Sequence, residues 1–269
     1  LALIAGHVQP PGPASHRRVG GSVQARGMAI FENPHVVLVP GFWLGAWAWD
    51  DVVGPLRDAG LAPHAVTLPG LESVDADRSA VTREDHVRAV VRLVESLPPG
   101  VLLVGHSGGG ALVGEVVDRL PERVRRVVYV DSGPLEDGAA LSPDLPPDAV
   151  EVPMPSWTAL EAVGTSTQGL DDGMRAAFRA RAVPHPAGPA REPVRVSDPR
   201  RLDVPVTVIC SSLPSEVLRT LAHPGPPLHT ELGDLDVTYV DVPTGHWPML
   251  SRPAELAAAI IAAANSARG

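Results

Sequence analysis

From His35 onward the chain alternates between short, continuous apolar runs and stretches whose apolar residues return every three or four positions. HVVLV (35–39) stops at Pro40-Gly41 and HAVTL (64–68) stops at Pro69-Gly70. VLLVG (101–105), VVYVD (127–131), PVTVIC (205–210) and VTYVDV (237–242) complete the set. Such runs are rich in β-branched residues and lack polar alternation, the pattern of strands covered on both faces. The intervening stretches read as helices. Trp49, Val52, Val53 and Leu56 share one face of 45–59, which Gly60 closes. Thr82 caps a helix carrying Val87, Val90, Val91 and Val94, and Pro98-Pro99 stop it. Leu112, Val116 and Leu120 line the helix after the third strand, and Pro253 opens a last one rich in alanine and isoleucine. The order predicts an α/β fold: a mostly parallel sheet of about six strands with helices on both faces. Ligand chemistry in such sheets collects at the carboxyl ends of the strands.

The alternation lapses in two places. Residues 1–33 contain Pro, Gly and Arg without periodicity and are expected to form an irregular leader, with Met28 a candidate natural start. The apolar stretch there is too short for a signal peptide and no basic segment precedes it. Residues 133–203 are proline- and glycine-rich but hold two helical patterns, SWTALEAVG (156–164), with Thr158 and Glu161 in capping-box spacing, and DDGMRAAFRARA (171–182). An excursion of this length between two strands is expected to form a small helical lid over the strand ends. The core is then 34–132 and 204–269.

Composition narrows the chemistry. A net charge of −9 argues against a nucleic acid or an anionic membrane as partner. No apolar run reaches the roughly 18 residues of a membrane span. All 22 basic residues are arginine, which excludes Schiff-base and phosphate-loop lysines. The single cysteine, Cys210, cannot form an intrachain disulfide and fits a reducing, cytoplasmic compartment. No cluster has metal-ligand spacing and no dinucleotide fingerprint is present, so neither metal nor cofactor is expected.

Gly105-His106-Ser107-Gly108-Gly109 fits G-x-S-x-G. The bare pattern is weak; its position, directly after an apolar strand and opening a helix, is what points to a nucleophile. A serine held on that turn aims its hydroxyl at a helix N-terminus, where backbone N–H groups favour developing negative charge. Among 10 histidines, His246 in VDVPTGHWPML follows the last strand and precedes the last helix, which places it at the same sheet edge. It is the candidate base. His106 reads as a packing or pocket residue, and His64, His86, His185, His223 and His229 read as surface or structural.

PGFWLGAW after the first strand, LPG after the second, GHSGGG after the third and GHWPMLSRP near the end resemble the α/β-hydrolases. The likeness covers nearly the whole chain from about residue 34. The smaller plant methylesterase and hydroxynitrile lyase-like members are the most similar in layout. The resemblance implies an oxyanion hole made by the backbone N–H groups of Phe42 and Gly108, with Pro40-Gly41 where relatives commonly have His-Gly. It also implies an acid in a turn after the penultimate strand. That place reads CSSLPSE (210–216), with Leu213 where an aspartate is expected and Glu216 displaced by three positions. The other candidate is Asp131, at the tip of the strand next to the nucleophile strand, a position that haloalkane dehalogenases and some lactonases of this fold use for their acid. Its alternative is a capping role.

Aromatic residues are few, and half of them, Phe42, Trp43, Trp47, Trp49 and Trp247, lie near the proposed oxyanion turn or beside His246. Trp49 falls on a helix face and reads as core. Trp43 and Trp247, with Met154, Trp157 and Phe178 from the lid, are the candidate substrate-binding residues. The expectation is a cofactor-independent serine hydrolase for a carboxylic ester or lactone of small to medium apolar size. A lyase or cyclisation step, or a non-catalytic small-molecule binder, would use the same fold. The lyases it resembles usually carry a lysine near the histidine; this chain has none. The oligomeric state leaves no trace in the sequence.

Overall fold

The computed structural model describes residues 33–221, 232 and 235–266. The leader, Asn33 apart, lies outside them, as do His223 and His229. Among the described residues six strands form one sheet: β1 (His35–Val39), β2 (Ala62–Ala65), β3 (Val101–His106), β4 (Val124–Val130), β7 (Val206–Cys210) and β8 (Val237–Asp241). The order is β2-β1-β3-β4-β7-β8 and every pairing is parallel.

The apolar runs are continuous because the sheet has a core on each side. Val36 and Leu38 of β1 face one cluster with Leu102 and Val104, packed under α1 (Asp50–Asp58) and α9 (Pro253–Asn265). Val37 and Val39 face the other with Leu103 and Val127, under α2 (Arg83–Ser96) and α3 (Gly108–Arg119). Alternate residues of one strand are thus claimed by opposite layers. Trp49, fully buried, belongs to the first cluster, at the end of a 3₁₀ turn (Ala46–Trp49) that precedes α1. Thr82 caps α2 with a reciprocal box to Asp85.

The second strand sits earlier than HAVTL implies. Ala62–Ala65 pair with His35–Leu38, and one further bond runs from Val66 N to Leu38 O. The neighbouring strand then ends at Pro40, which has no N–H, so Thr67 and Leu68 run on outside the ladder although Leu68 stays buried.

Between β4 and β7 the chain forms a two-stranded antiparallel pair, β5 (Glu151–Val152) with β6 (His185–Pro186), and the helices α4 (Trp157–Ala162), α5 (Asp172–Arg181) and α6 (Ala187–Arg191). The N-cap of α4 is Ser156, whose Oγ accepts from Ala159 N at 3.1 Å, and not Thr158, which lies inside the helix. Asp171 caps α5. Two further helices, α7 (Ser215–Leu221) and α8 (Pro248–Ser251), follow β7 and β8.

Strand order reverses between β1 and β3. The turns leaving these two strands, Pro40–Trp43 and Ser107–Gly109, therefore flank the crevice where such sheets bind ligands.

Candidate active site

Ser107 stands between β3 and α3 with φ 51° and ψ −126°, a conformation L-residues rarely adopt. The crowding that imposes it is visible at Gly105, where a Cβ would lie 2.7 Å from the Gly109 carbonyl oxygen. The turn ends in a helix N-terminus whose first N–H groups have no partner within the helix, a ready site for negative charge.

The imidazole of His246, on the loop between β8 and α8, reaches Ser107: Nε2 lies 2.8 Å from Oγ. Its Nδ1 lies 2.6 Å from Asp131 Oδ2. Asp131 follows β4 directly, at φ 45°. Glu216, the alternative acid, is exposed in the first turn of α7. Burial works to raise the Asp131 pKa, but the His246 hydrogen bond and charge outweigh it together with donors from Ser212. The carboxyl is held below the usual carboxylate range.

Those donors come from the turn after β7, the place where the family resemblance implies the acid itself. Ser211 N and Ser212 N donate to Asp131 Oδ1 at 3.2 and 2.8 Å, and Ser212 Oγ lies 2.9 and 2.7 Å from the two carboxylate oxygens. The sequence reading did not single out this serine pair. Its signal was present: two consecutive hydroxyl residues at a strand's carboxyl end, beside the strand that supplies the acid.

The His246 loop is clamped by the segment between α4 and α5. Gly245 N donates to Gln168 O at 2.9 Å and His246 N to Ser166 O at 2.8 Å. A Cβ on Gly245 would stand 2.6 Å from both of those carbonyl oxygens. Gly245→Ala is therefore expected to push the loop off its anchors, with a cost of about 1–3 kcal/mol and a fall in turnover. A thermal melt beside ester kinetics checks both.

Phe42, Trp43, Ser107, Gly108, His246 and Trp247 line one cavity of about 180 Å³ with Leu141, Leu160, Thr165 and His106. Trp43 has φ 66°; its indole N–H donates to Val152 O at 3.0 Å and its carbonyl accepts from Val183 N, which ties the turn after β1 to the β5–β6 pair. Phe42 stacks on buried His185 with ring centroids 3.8 Å apart. Burial holds His185 well below the ordinary histidine range, so it packs there as a neutral ring.

Met154, Trp157 and Phe178 are not among the residues lining this cavity. The aromatics find one another first: Phe178 is fully buried and packs edge-on against Trp47, Trp157 and Trp247. Trp157 carries the Arg179 guanidinium over its outer face, and Met154 packs on the adjoining core. Leu160, one turn beyond Trp157, is the α4 side chain that reaches the cavity.

A serine hydroxyl, an imidazole and a carboxylate in one hydrogen-bonded line, beside a helix N-terminus, have the arrangement that performs acyl transfer on several unrelated folds. The model of the alpha/beta hydrolase family matches residues 36–259, and the chain belongs to that family. Carbendazim hydrolyzing esterase of Nocardioides sp. (strain SG-4G) is 37% identical over 112 residues, which cover 41% of this chain and 46% of that one. Methylesterase 8 of Arabidopsis thaliana is 36% identical over 104 residues, 36% of this chain and 37% of that one. The chain thus spans less than half the length of these curated relatives. An extracellular alpha/beta-hydrolase from a Paenibacillus species has the same fold, with a TM-score of 0.69 at 20% identity over 87% of this chain and 100% of that chain.

Proposed function

We propose that the protein is a serine esterase that works without a cofactor. In this reading Ser107 attacks the ester carbonyl while His246 Nε2 takes its proton. Asp131 holds the imidazole with Nδ1–H towards the carboxylate and stabilises the imidazolium that forms. The backbone N–H groups of Phe42 and Gly108 hold the oxyanion. His246 then returns the proton to the leaving alcohol, and a water activated by the same imidazole releases the acyl group. The observation that carries the reading is the line Ser107 Oγ–His246 Nε2, 2.8 Å, and His246 Nδ1–Asp131 Oδ2, 2.6 Å, built on a strained elbow.

The cavity supports a compact, uncharged substrate. Its walls are Phe42, Trp43, Leu141, Leu160 and Trp247, with Thr165 the one hydroxyl besides Ser107, and no carboxylate or guanidinium lines it among the described residues. A neutral carboxylic ester, open-chain or lactone, loses little hydration on entry, whereas an ionised group would find no counter-charge.

Intact-protein mass spectrometry during turnover of a short p-nitrophenyl ester tests the chemistry. The expected result is a mass increase equal to the acyl group, mapped to Ser107 and discharged when substrate is exhausted. Turnover with no covalent species, in quench times shorter than one catalytic cycle, would point instead to direct attack by a water that His246 activates.

A further inference from the structure

We infer that His106 is a positioning residue, a neutral Nε2–H donor that fixes the base His246 from its main-chain side. This rests on the acyl-transfer reading above.

His106 is the last residue of β3 and is fully buried. Its Nε2 lies 2.7 Å from the backbone oxygen of His246. A carbonyl oxygen only accepts, so Nε2 carries the hydrogen. In a neutral ring Nδ1 then bears the lone pair. Nδ1 is buried and has no hydrogen-bond partner among the described residues. It faces the turn after β1, where a Cβ on Gly41 would lie 3.0 Å away. A second proton on Nδ1 would put an unpaired donor and a buried charge against that backbone. Burial, and next the charge of nearby His246, accordingly hold the His106 pKa down at about 3, although Asp131 pulls the other way.

The ring therefore spans two loops that the reaction needs in register. On one side is the turn that presents the oxyanion donor of Phe42; on the other is the peptide that carries the base. The main chain of His246 is gripped at both poles, its N–H by Ser166 O at 2.8 Å and its carbonyl by His106. The Ser166 contact comes from the segment between α4 and α5, whereas the His106 contact comes from the nucleophile's own strand. Only the latter ties base and nucleophile to one rigid element. Without it, the His246 carbonyl loses its tie to the nucleophile's strand, and the main chain behind the 2.8 Å approach of Nε2 to Ser107 Oγ keeps its anchors to the α4–α5 segment but none to β3. Misplacement of a reacting group by about 1 Å costs ~10²-fold in rate.

Three substitutions separate this role from space filling. In His106→Gln the amide nitrogen falls near the position of Nε2; in His106→Asn it falls near Nδ1; His106→Phe keeps the shape without a donor. The second-order rate constant for labelling of Ser107 by a fluorophosphonate reads nucleophile activation directly, and ester kinetics divide the effect between kcat and KM. The expected result is that Gln stays within about 3-fold of wild type while Asn and Phe slow labelling and kcat by ~10- to 100-fold with KM unchanged. Phe labelling at the wild-type rate, or Asn and Phe matching Gln, overturns the inference.

Nitrogen-15 NMR of the wild-type ring decides it where the Asn or Phe variant fails to fold. A neutral Nε2–H tautomer from about pH 5 to 8 is required; an Nδ1–H tautomer or a charged ring refutes it. A wild-type Ser107 that resists labelling refutes the acyl-transfer reading instead, and the tautomer still decides the part His106 plays.

Discussion

Ser107→Ala is expected to lower kcat on a short p-nitrophenyl ester by at least about 10⁴-fold while the thermal transition survives. In the proposed mechanism the hydroxyl oxygen forms the acyl bond, and neither His246 nor Asp131 can replace it. What the variant keeps is the cavity and the backbone donors, which bind substrate without turning it over. The same position carries a second expectation. At φ 51° and ψ −126° any side chain with a Cβ is strained, at a cost of about 1–3 kcal/mol. Alanine leaves that strain in place, whereas glycine removes it and gives back roughly 0.5–1 kcal/mol through the entropy of the unfolded chain. Ser107→Gly should therefore be as inactive as Ser107→Ala yet melt above it, by ~2–4 °C for a chain of this size. Ser107→Gly melting below Ser107→Ala would mean the elbow stores no strain; residual turnover above about one part in a thousand would remove Ser107 from the chemistry.

The architecture was largely legible in the amino acids because two periodicities alternate in them. Apolar β-branched runs cannot sit on a solvent-facing sheet, and the layers on either side require a helix after each run. The strand at Ala62–Ala65 lies earlier than the apolar run implies because the most apolar residues, Val66 and Leu68, follow it: Val66 keeps one bond to Leu38 O, and Leu68 lies beyond the point where the neighbour stops at Pro40. Burial there does not mean pairing.

The meeting of Ser107 and His246 was legible for the same reason that the fold was: each follows a strand, and parallel strands deliver their ends to one edge. The acid was not settled, since sequence spacing places both Asp131 and Glu216 near that edge and says nothing of which way a turn directs its side chain. The structure gives Nδ1 of His246 to Asp131 and leaves Glu216 exposed. The cavity wall was the least legible part. Trp157, Phe178 and Met154 stood out as large apolar residues in the insertion, but residues of that size are also the ones most strongly driven to bury one another. Smaller neighbours, Leu141, Leu160 and Thr165, are left to line the space.

Asp131→Asn is the other substitution with a large expected effect, and the local hydrogen bonds dictate how it fails. Ser211 N and Ser212 N both donate to Oδ1, so the oxygen of an asparagine must occupy that side. Its NH₂ then takes the place of Oδ2 and points at His246 Nδ1, 2.6 Å away in the native site. A donor there stabilises the tautomer with hydrogen on Nε2, the one that cannot accept the proton of Ser107. Turnover at neutral pH should fall by ~10⁴-fold with little change in the shape of the site. Glu216→Gln, its control, should leave the rate unaltered; retention of more than about a tenth of the rate by Asp131→Asn, or an equal loss in the control, overturns the assignment. Stability adds an independent readout. The Asp131 carboxyl is depressed in the folded protein relative to its unfolded value near 3.9. A carboxylate depressed on folding stabilises the fold above the unfolded value and loses that contribution as pH falls through the folded one. The difference in melting temperature between wild type and Asp131→Asn should therefore be full at pH 7 and close progressively below about pH 4. A difference that stays constant with pH would mean that the loss arises from packing and not from the charge that His246 needs.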